Sequence, residues 1–289
     1  SFLDYLLLER NYSEKTIVSY ETDLREFEGY LKKTEAELDW KKVHADHVRN
    51  WIVDLMDHGR ASTSVNRKLS SLRSFYRFLL RRKEITVNPM LKIVGPKKKK
   101  PLPFFVREKD MNRLLDETSF EEGFEGCRTR MILEMFYATG MRLSELIGLN
   151  DVDVDLSARL IKVTGKRNKQ RLIPFGNEME EDLLIYIKVR DEALPVKERS
   201  LFVRKNGMRM YPVQVYRLVR RSLSKVVTLK KKSPHVLRHT FATAMLNDDA
   251  QLGAVKELLG HESLATTEIY THTTFEELKK VYEQAHPRA

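Results

Sequence analysis

A segment rich in proline and lysine divides the chain of 289 residues into two parts. Residues 95–103 contain three prolines, one glycine and four lysines, and such a composition cannot contribute to a hydrophobic core. Because the sequence on either side is long enough to bury a core of its own, this segment predicts a boundary between two domains. We assign residues 1–94 to a first domain, residues 95–106 to a linker and residues 107–289 to a second domain.

The charge balance indicates a polyanionic partner. Lysine and arginine number 52 against 41 aspartates and glutamates, so the formal net charge is +11. An excess of this kind is typical of proteins that bind nucleic acid, because neutralised phosphates release their counterions. A merely solvated linker would also be rich in lysine. The candidate phosphate contacts in the linker are Lys97, Lys98, Lys99 and Lys100.

Cysteine usage and hydropathy indicate the compartment. A single cysteine, Cys127, excludes an internal disulfide and a cysteine-rich zinc site. No apolar run approaches the roughly 18 residues of a membrane span. We therefore expect a cytoplasmic protein with no membrane partner.

The first domain shows helical periodicity almost throughout. A helix of about residues 62–82 carries apolar side chains on one side. This inner stripe consists of Val65, Leu69, Leu72, Phe75, Tyr76 and Leu79. Basic residues away from the stripe suit contacts to a phosphate backbone, although a solvated face has the same pattern. These candidates are Arg67, Lys68 and Arg73.

The second domain combines helices with one β-hairpin. The alternation of apolar residues between about 151 and 175 is typical of strands, and a polar turn interrupts it. Lys166 and Lys169 lie in that turn. An ammonium group at a hairpin tip is mobile enough to protonate a leaving 5′-oxygen. Lys166 is the first candidate for this role, Lys169 competes with it, and a solvated hairpin lysine is the ordinary alternative.

Tyrosine, histidine and arginine recur in the second domain in a pattern that suits phosphoryl chemistry. Tyr270 lies nine residues after His261, and His235 precedes Arg238 by one helical turn. A phenol, with a pKa of about 10, is a poor nucleophile unless cations surround the group that it attacks. Arginine N–H groups stabilise the negative charge of a phosphodiester transition state. Together with Arg142, these residues predict an enzyme that cuts and rejoins DNA through a phosphotyrosine.

A metal site is the competing interpretation of the histidines. Zinc-binding helices of the His-Glu-x-x-His kind need a carboxylate base, and here the residues between His235 and His239 are Val236, Leu237 and Arg238. A cation between two ligands opposes metal binding. We therefore expect neither a metal ion nor a cofactor.

Four segments of the second domain together resemble the tyrosine site-specific recombinases. They span residues 138–146, 165–174, 235–243 and 258–272. Within that family the chain is similar to the Xer branch, which resolves chromosome dimers, and the similarity covers essentially the full length. It implies a mainly α protein of two domains. The first would be a four-helix, SAM-like core-binding bundle, and the second an α+β catalytic domain with a small antiparallel sheet.

The resemblance implies a role for each chemical residue. Tyr270 would attack the scissile phosphate and form a 3′-phosphotyrosyl bond, while Arg142 and Arg238 would bind the non-bridging oxygens. Lys166 would be the general acid. His235 would hold or deprotonate the nucleophile.

The resemblance also implies an assembly on double-stranded DNA. His261 would donate to the phosphate, and Glu145 would orient the arginine region. The amphipathic helix of residues 275–282 would dock on a neighbouring protomer, in a homotetramer or in a heterotetramer with a related recombinase. A septal DNA translocase is a candidate activator. The expected setting is the bacterial cytoplasm and nucleoid, with a role in chromosome partition and cell division.

Two departures from the family pattern, at Ala244 and at residues 248–251, lie away from the chemical positions. Other functions compete with the Xer interpretation. An integrase or excisionase of a mobile genetic element uses the same chemistry, but often with an additional arm-binding domain. A type IB topoisomerase also shares the chemistry, but the N-terminal bundle and C-terminal helix fit recombination better. A non-catalytic DNA-binding factor would not need the chemical residues.

Overall fold

The structure is a computed structural model that describes residues 1–34, 39–98, 104–165, 168–194, 199–260 and 275–289. The chain divides into two compact units, Ser1–Pro101 and Leu102–Ala289. The division falls within the segment that we assigned to the linker. Each unit has its own buried apolar side chains.

Helices make up the first unit. Its α-helices are α1 (Phe2–Asp4), α2 (Glu14–Thr34), α3 (Ala45–Asp57) and α4 (Ser62–Arg81). A π-helical turn, Tyr5–Glu9, follows α1, and a 3-10 turn, Trp40–Lys42, precedes α3. The Ser13 hydroxyl accepts a hydrogen bond from the backbone N–H of Thr16 at 3.4 Å and so caps the start of α2.

The core of the first unit is built on aromatic side chains and on the apolar stripe of α4. The ring centroids of Phe27 and Trp51 lie 4.8 Å apart, and those of Trp40 and Phe75 also lie 4.8 Å apart. Every residue of the predicted stripe belongs to this cluster or packs against it. Burying one large apolar side chain contributes about 2 kcal/mol, so this face holds α4 in the bundle.

The second unit is mainly helical and contains one small antiparallel sheet. Its helices are α5 (Glu108–Asn112), α6 (Phe124–Thr139), α7 (Leu143–Gly148), α8 (Asn177–Ala193), α9 (Pro212–Val226), α10 (Pro234–Asn247), α11 (Leu252–Leu259) and α12 (Phe275–Ala285). The sheet has the order β1-β2-β3, and its strands are β1 (Val154–Asp155), β2 (Leu160–Thr164) and β3 (Gln170–Pro174). The expected mainly α fold with a small antiparallel sheet is confirmed.

Helix α6 runs through the core of the second unit. Met131 and Phe136 are fully buried although they point to different sides of the helix, which is typical of a helix enclosed by its neighbours. The helix begins at Phe124 and ends at Thr139.

Helix α12 packs against its own unit. Leu278 and Tyr282 are buried among residues of α10 and α11. In the tail that follows, His286 and Arg288 are buried. The Arg288 guanidinium contacts Asp116 and lies 2.8 Å from Glu178. Docking of α12 on a neighbouring protomer stays a prediction. Within the described parts of the chain, no helix has the length and hydropathy that a membrane span needs.

Candidate active site

Arg142 stands at the junction between α6 and α7, where glycine shapes the backbone. Gly140 ends α6 with a φ of 57°, in the left-handed region that favours glycine. A Cβ atom there would lie 2.5 Å from the Phe241 ring and 2.8 Å from the Leu259 side chain. The chain therefore passes closely over the core at Gly140. Arg142 follows in extended conformation, immediately before α7.

Glu145 anchors this junction from the first turn of α7. Its Oε2 accepts the backbone N–H of Arg142 at 2.7 Å, and its Oε1 accepts a hydrogen bond from Nη1 of the same residue at 2.7 Å. Glu145 is only 3% exposed. Burial alone would raise its pKa, but the hydrogen bonds from Arg171 and Arg142 outweigh burial and lower the pKa to about 2. Glu145 is therefore an anion at neutral pH.

Arg238 approaches the same place from α10. It is 7% exposed, and it donates from Nη1 to the Gly140 carbonyl at 2.7 Å and from Nη2 to the Leu259 carbonyl at 2.6 Å. Burial and the neighbouring Arg142 charge lower the pKa of Arg238 to about 10, so it keeps its charge at neutral pH. Arg238 thereby ties the end of α6 to the end of α11.

The two predicted arginines meet at the turn that follows α11. Arg142 donates from Nη2 to the Gly260 carbonyl at 2.9 Å, next to the Leu259 carbonyl that Arg238 holds. Gly260 ends α11 with a φ of 64°, and the next residue in the chain is His261. Two guanidinium groups that converge in this way can bind the non-bridging oxygens of one phosphodiester.

Arg171 belongs to this site, although its position in the sequence did not single it out. It donates from Nη1 and Nη2 to the two oxygens of Glu145 at 2.8 and 2.9 Å, and from Nε to the Leu258 carbonyl at 2.8 Å. The alternation of residues in the hairpin could have indicated that Arg171 is partly buried. Val163 pairs with Arg171 across β2 and β3, so both side chains lie on one face of the sheet, and Val163 is fully buried. An arginine beside a buried valine needs a buried acceptor, which is Glu145.

The histidines of α10 are exposed. His235 lies in the first turn of the helix, one turn before Arg238, and His239 lies directly after Arg238. Pro234 occupies the first position of α10, where its missing N–H costs no hydrogen bond. Among the described residues, no group of three or more His, Cys, Asp or Glu side chains is arranged to hold a metal ion.

The other chemical residues lie outside the described residues, and they are Lys166, His261 and Tyr270. Two described residues, Gly165 and Lys169, lie on either side of Lys166 in the sequence. The Gly165 backbone N–H donates to the Lys169 carbonyl at 2.7 Å. The competing lysine, Lys169, is exposed.

In the first unit, the expected placement of Lys68 is wrong. Lys68 is 6% exposed, its ammonium group contacts Glu26, and it lies 3.4 Å from Asp23. Helix α2 packs on α4 and presents these carboxylates to it, which the pattern of α4 alone could not reveal. Lys68 therefore stabilises the bundle, and we withdraw it as a contact to DNA.

The other basic candidates of the first unit also have partners. Arg67 donates to both oxygens of Asp23, at 2.5 and 2.7 Å, although its side chain is 48% exposed. Arg73 donates to the Ile93 carbonyl at 2.9 Å. Among the linker lysines, the exposed ones are Lys97 and Lys98, and those outside the described residues are Lys99 and Lys100.

In the second unit, two arginines converge beside a buried carboxylate, and such a pair of guanidinium groups suits a phosphodiester. The chain belongs to the phage integrase family, the tyrosine recombinases: the sequence model of that family matches residues 105–277. The sequence model of the phage integrase N-terminal SAM-like domain matches residues 1–83. Both matches confirm the expected family and the SAM-like character of the first unit.

Curated relatives place the similarity in the Xer branch. The chain is 40% identical to tyrosine recombinase XerC of Chlorobaculum tepidum, with 100% of this chain and 94% of the relative covered. It is 41% identical to XerC of Staphylococcus carnosus, with 100% and 97% covered. These similarities confirm the resemblance to the Xer branch and the tyrosine recombinase class of enzyme.

Solved structures of recombinases have the same fold. XerH recombinase bound to its difH substrate matches 94% of this chain and 80% of its own, with a TM-score of 0.71 and 24% identity. XerA recombinase is 27% identical and matches 100% of this chain and 97% of its own, with a TM-score of 0.51.

Proposed function

We propose that this protein is a Xer-type site-specific recombinase that cleaves and rejoins duplex DNA through a 3′-phosphotyrosyl intermediate on Tyr270. The observation that carries this proposal is the convergence of Arg142 and Arg238 on the turn that precedes His261. Similarity to XerC recombinases over the full length of the chain supports it.

The first chemical step exchanges one phosphoester for another. The Tyr270 oxygen forms a bond to phosphorus, the bond from phosphorus to the 5′-oxygen breaks, and the 5′-oxygen takes a proton. Arg142 and Arg238 donate to the non-bridging oxygens, so the charge of the transition state meets two fixed cations. Attack by a 5′-hydroxyl then rejoins the strand and releases the tyrosine. The phosphoester is conserved throughout, so religation needs no nucleotide cofactor.

The arginines exchange partners when they bind the phosphate. A guanidinium group has five N–H donors, and in Arg142 one nitrogen contacts Glu145 and another the Gly260 carbonyl. The Arg142 side chain is 35% exposed, so one of these N–H groups can turn from its present acceptor to a phosphate oxygen. Arg238 is more deeply buried, and it too exchanges a main-chain acceptor for a phosphate oxygen.

Three further residues handle protons and the phosphate in this proposal. Lys166 is the general acid for the 5′-oxygen, since it lies between β2 and β3 in the sequence, and Lys169 is the alternative. His235 holds or accepts the proton of Tyr270, because an imidazole nitrogen can accept a hydrogen bond or a proton. His261 donates a hydrogen bond to the phosphate.

We assign core binding of DNA to residues 1–94, the linker to residues 95–106 and catalysis to residues 107–289. The backbone contacts proposed for these parts are Arg67, Arg73, Lys97, Lys98, Lys99, Lys100 and Lys169. Helix α12 docks on a neighbouring protomer in a tetramer, built from this chain alone or with a related recombinase. A septal DNA translocase activates the assembly in the bacterial cytoplasm, on the nucleoid, during chromosome partition and cell division.

An integrase of a mobile element is the second candidate. The Tn1549 transposon integrase has the same fold, with a TM-score of 0.74 and 22% identity over 96% of each chain. Such low identity carries the fold alone. The relatives at about 40% identity are XerC recombinases, and this favours the Xer function.

Sequencing of covalently trapped DNA tests both the chemistry and the biological role. The tagged protein is expressed in bacteria, purified under denaturing conditions, and the attached DNA is sequenced. We expect one chromosomal site, and no attached DNA from the Tyr270→Phe variant. Attached DNA from that variant would exclude Tyr270 as nucleophile, while trapped sites at the ends of a mobile element would favour the integrase.

A further inference from the structure

Three consecutive carbonyls at the end of α11 each accept a hydrogen bond from a different arginine. Arg171 donates to the Leu258 carbonyl at 2.8 Å. Arg238 and Arg142 donate to the next two carbonyls, at 2.6 and 2.9 Å. The last carbonyls of a helix have no partner within the helix and carry the negative end of its dipole, so cations bind well there. Only two of these arginines have a part in the proposed reaction.

We propose that Arg171 is a positioning residue for DNA cleavage, which holds Glu145, and through it Arg142, at a fixed distance from the turn that leads to His261. This inference rests on the proposed recombinase function. Arg171 itself does not touch the phosphate.

The hydrogen bonds of Arg171 distinguish it from its neighbours. Each of its three nitrogens donates to a protein acceptor, and its side chain is 16% exposed. The Arg142 side chain is 35% exposed and can exchange acceptors when a phosphate arrives. Arg171 therefore keeps hold of α11 and Glu145 while Arg142 and Arg238 turn to the substrate.

The negative charge of Glu145 is the reason why Arg142 requires Arg171 beside it. The carboxylate is buried, and its oxygens accept hydrogen bonds from Arg142 and Arg171 at 2.7 to 2.9 Å. If Arg171 were absent, the whole negative charge of Glu145 would act on the Arg142 guanidinium. That attraction would compete with the phosphate for the same cation. Arg171 shares the carboxylate and so leaves Arg142 available.

The close approach of the Arg171 side chain to Gly260 explains why position 171 requires an arginine. A Cβ atom on Gly260 would lie 3.2 Å from Cδ and 3.2 Å from Nη1 of Arg171, so the guanidinium passes directly under the turn. Its planar fork reaches two carboxylate oxygens and one carbonyl at once. A lysine ammonium is a point charge on a flexible stem and cannot span all three acceptors.

Single-turnover cleavage of two matched substrates tests the inference. Both are nicked duplexes that carry the site recovered by covalent trapping, one with the natural scissile phosphate and one with a neutral methylphosphonate. Arg171→Ala should cleave the natural diester about a hundred-fold more slowly than the original chain, because displacement of a reacting group by about 1 Å has that cost. Its DNA affinity should be unchanged.

The methylphosphonate separates positioning from a general loss of structure. It carries one negative charge less, so its cleavage depends less on Arg142 and Arg238. The ratio of the original rate to the Arg171→Ala rate should therefore be clearly smaller on the methylphosphonate than on the natural diester. Arg209→Ala is the matched control, because Arg209 also holds backbone carbonyls in this unit, those of Ile147 and Leu149, without contacting Glu145. For this control the ratio should be the same on both substrates.

Arg171→Lys keeps the positive charge and guards against a folding failure of the alanine variant. Its rate should fall between those of Arg171→Ala and the original chain. Equal rate losses on both substrates for Arg171→Ala and Arg171→Lys, or no loss on either, would overturn the positioning role. If the original chain forms no covalent adduct while folding normally, the proposed function itself fails, which is a different result.

Discussion

Each unit of this protein contains a buried carboxylate bound by basic side chains, but the two clusters differ in their charge balance. In the first unit, Asp23 and Glu26 meet two basic residues, Arg67 and Lys68. In the second unit, the single carboxylate of Glu145 stands among three arginines, of which two contact it and Arg238 lies close by.

The difference indicates what each cluster is for. A balanced cluster satisfies its own charges and holds two helices together. A cluster with surplus positive charge is costly to assemble unless an anion joins it, so the surplus points to a phosphate as the missing partner. Changes to the arginines of the second cluster should therefore alter chemistry, whereas changes to the first cluster should alter stability.

Arg238→Ala should have the largest effect. Removal of a donor that stabilises the transition state costs about a hundred- to a thousand-fold in rate, and Arg238 is the more buried of the two clamping arginines. Formation of the covalent adduct on a nicked duplex measures this rate. Adduct formation at the original rate would mean that the surplus charge has no catalytic role.

Lys68→Met should have the second largest effect, and it should lower the stability of the first unit. Removing Lys68 leaves two carboxylates, Asp23 and Glu26, with one cation, Arg67, and we expect the first unit to lose roughly 3 kcal/mol in its free energy of unfolding. Urea denaturation measures the loss, with the exposed Arg77→Met on the same helix as a control that changes little. If DNA affinity fell in the folded variant without any loss of stability, Lys68 would be a DNA contact after all.

Glu145→Gln should change the acid stability of the second unit. The folded pKa of Glu145, about 2, lies below the ordinary 4.5, so the carboxylate stabilises the fold above pH 4.5 and loses this contribution as the pH falls towards 2. The variant should be less stable at pH 7 by on the order of 2 kcal/mol. Urea denaturation at pH 7 and pH 3 should show a smaller difference between variant and original at the lower pH. A constant difference would contradict the ionic role of Glu145.

The smallest effect is expected from substitutions in the linker. Replacing Lys97 and Lys98 together by alanine should leave stability unchanged and weaken DNA binding. If both contact phosphates, the slope of log affinity against log salt should become shallower by about 2. Lys32 and Lys33, exposed at the end of α2, are the matched pair, and their replacement should leave the slope unchanged. Equal slopes for both double variants would mean that the linker is only solvated.

Local patterns predicted much of the fold. The apolar stripe of α4 and the alternation around residues 160–175 each reflect a period that one element imposes on its own residues. Lys68 was misassigned because its burial depends on carboxylates of α2, which are distant in sequence. Arg171 was missed for a similar reason, since its acceptors lie on α7 and α11. Contacts between elements are what the pattern of a single element cannot contain.

The main-chain hydrogen bonds of Arg142 and Arg238 affect where the affinity for DNA can arise. Because main-chain oxygens already occupy Arg142 and Arg238, an arriving nucleic acid strand replaces existing bonds and adds few new ones. Tight association must then come from surfaces remote from the reaction centre. Free phosphate in the cell should therefore compete poorly for Arg142 and Arg238. Cleavage should start only on a duplex that other surfaces of the protein already bind.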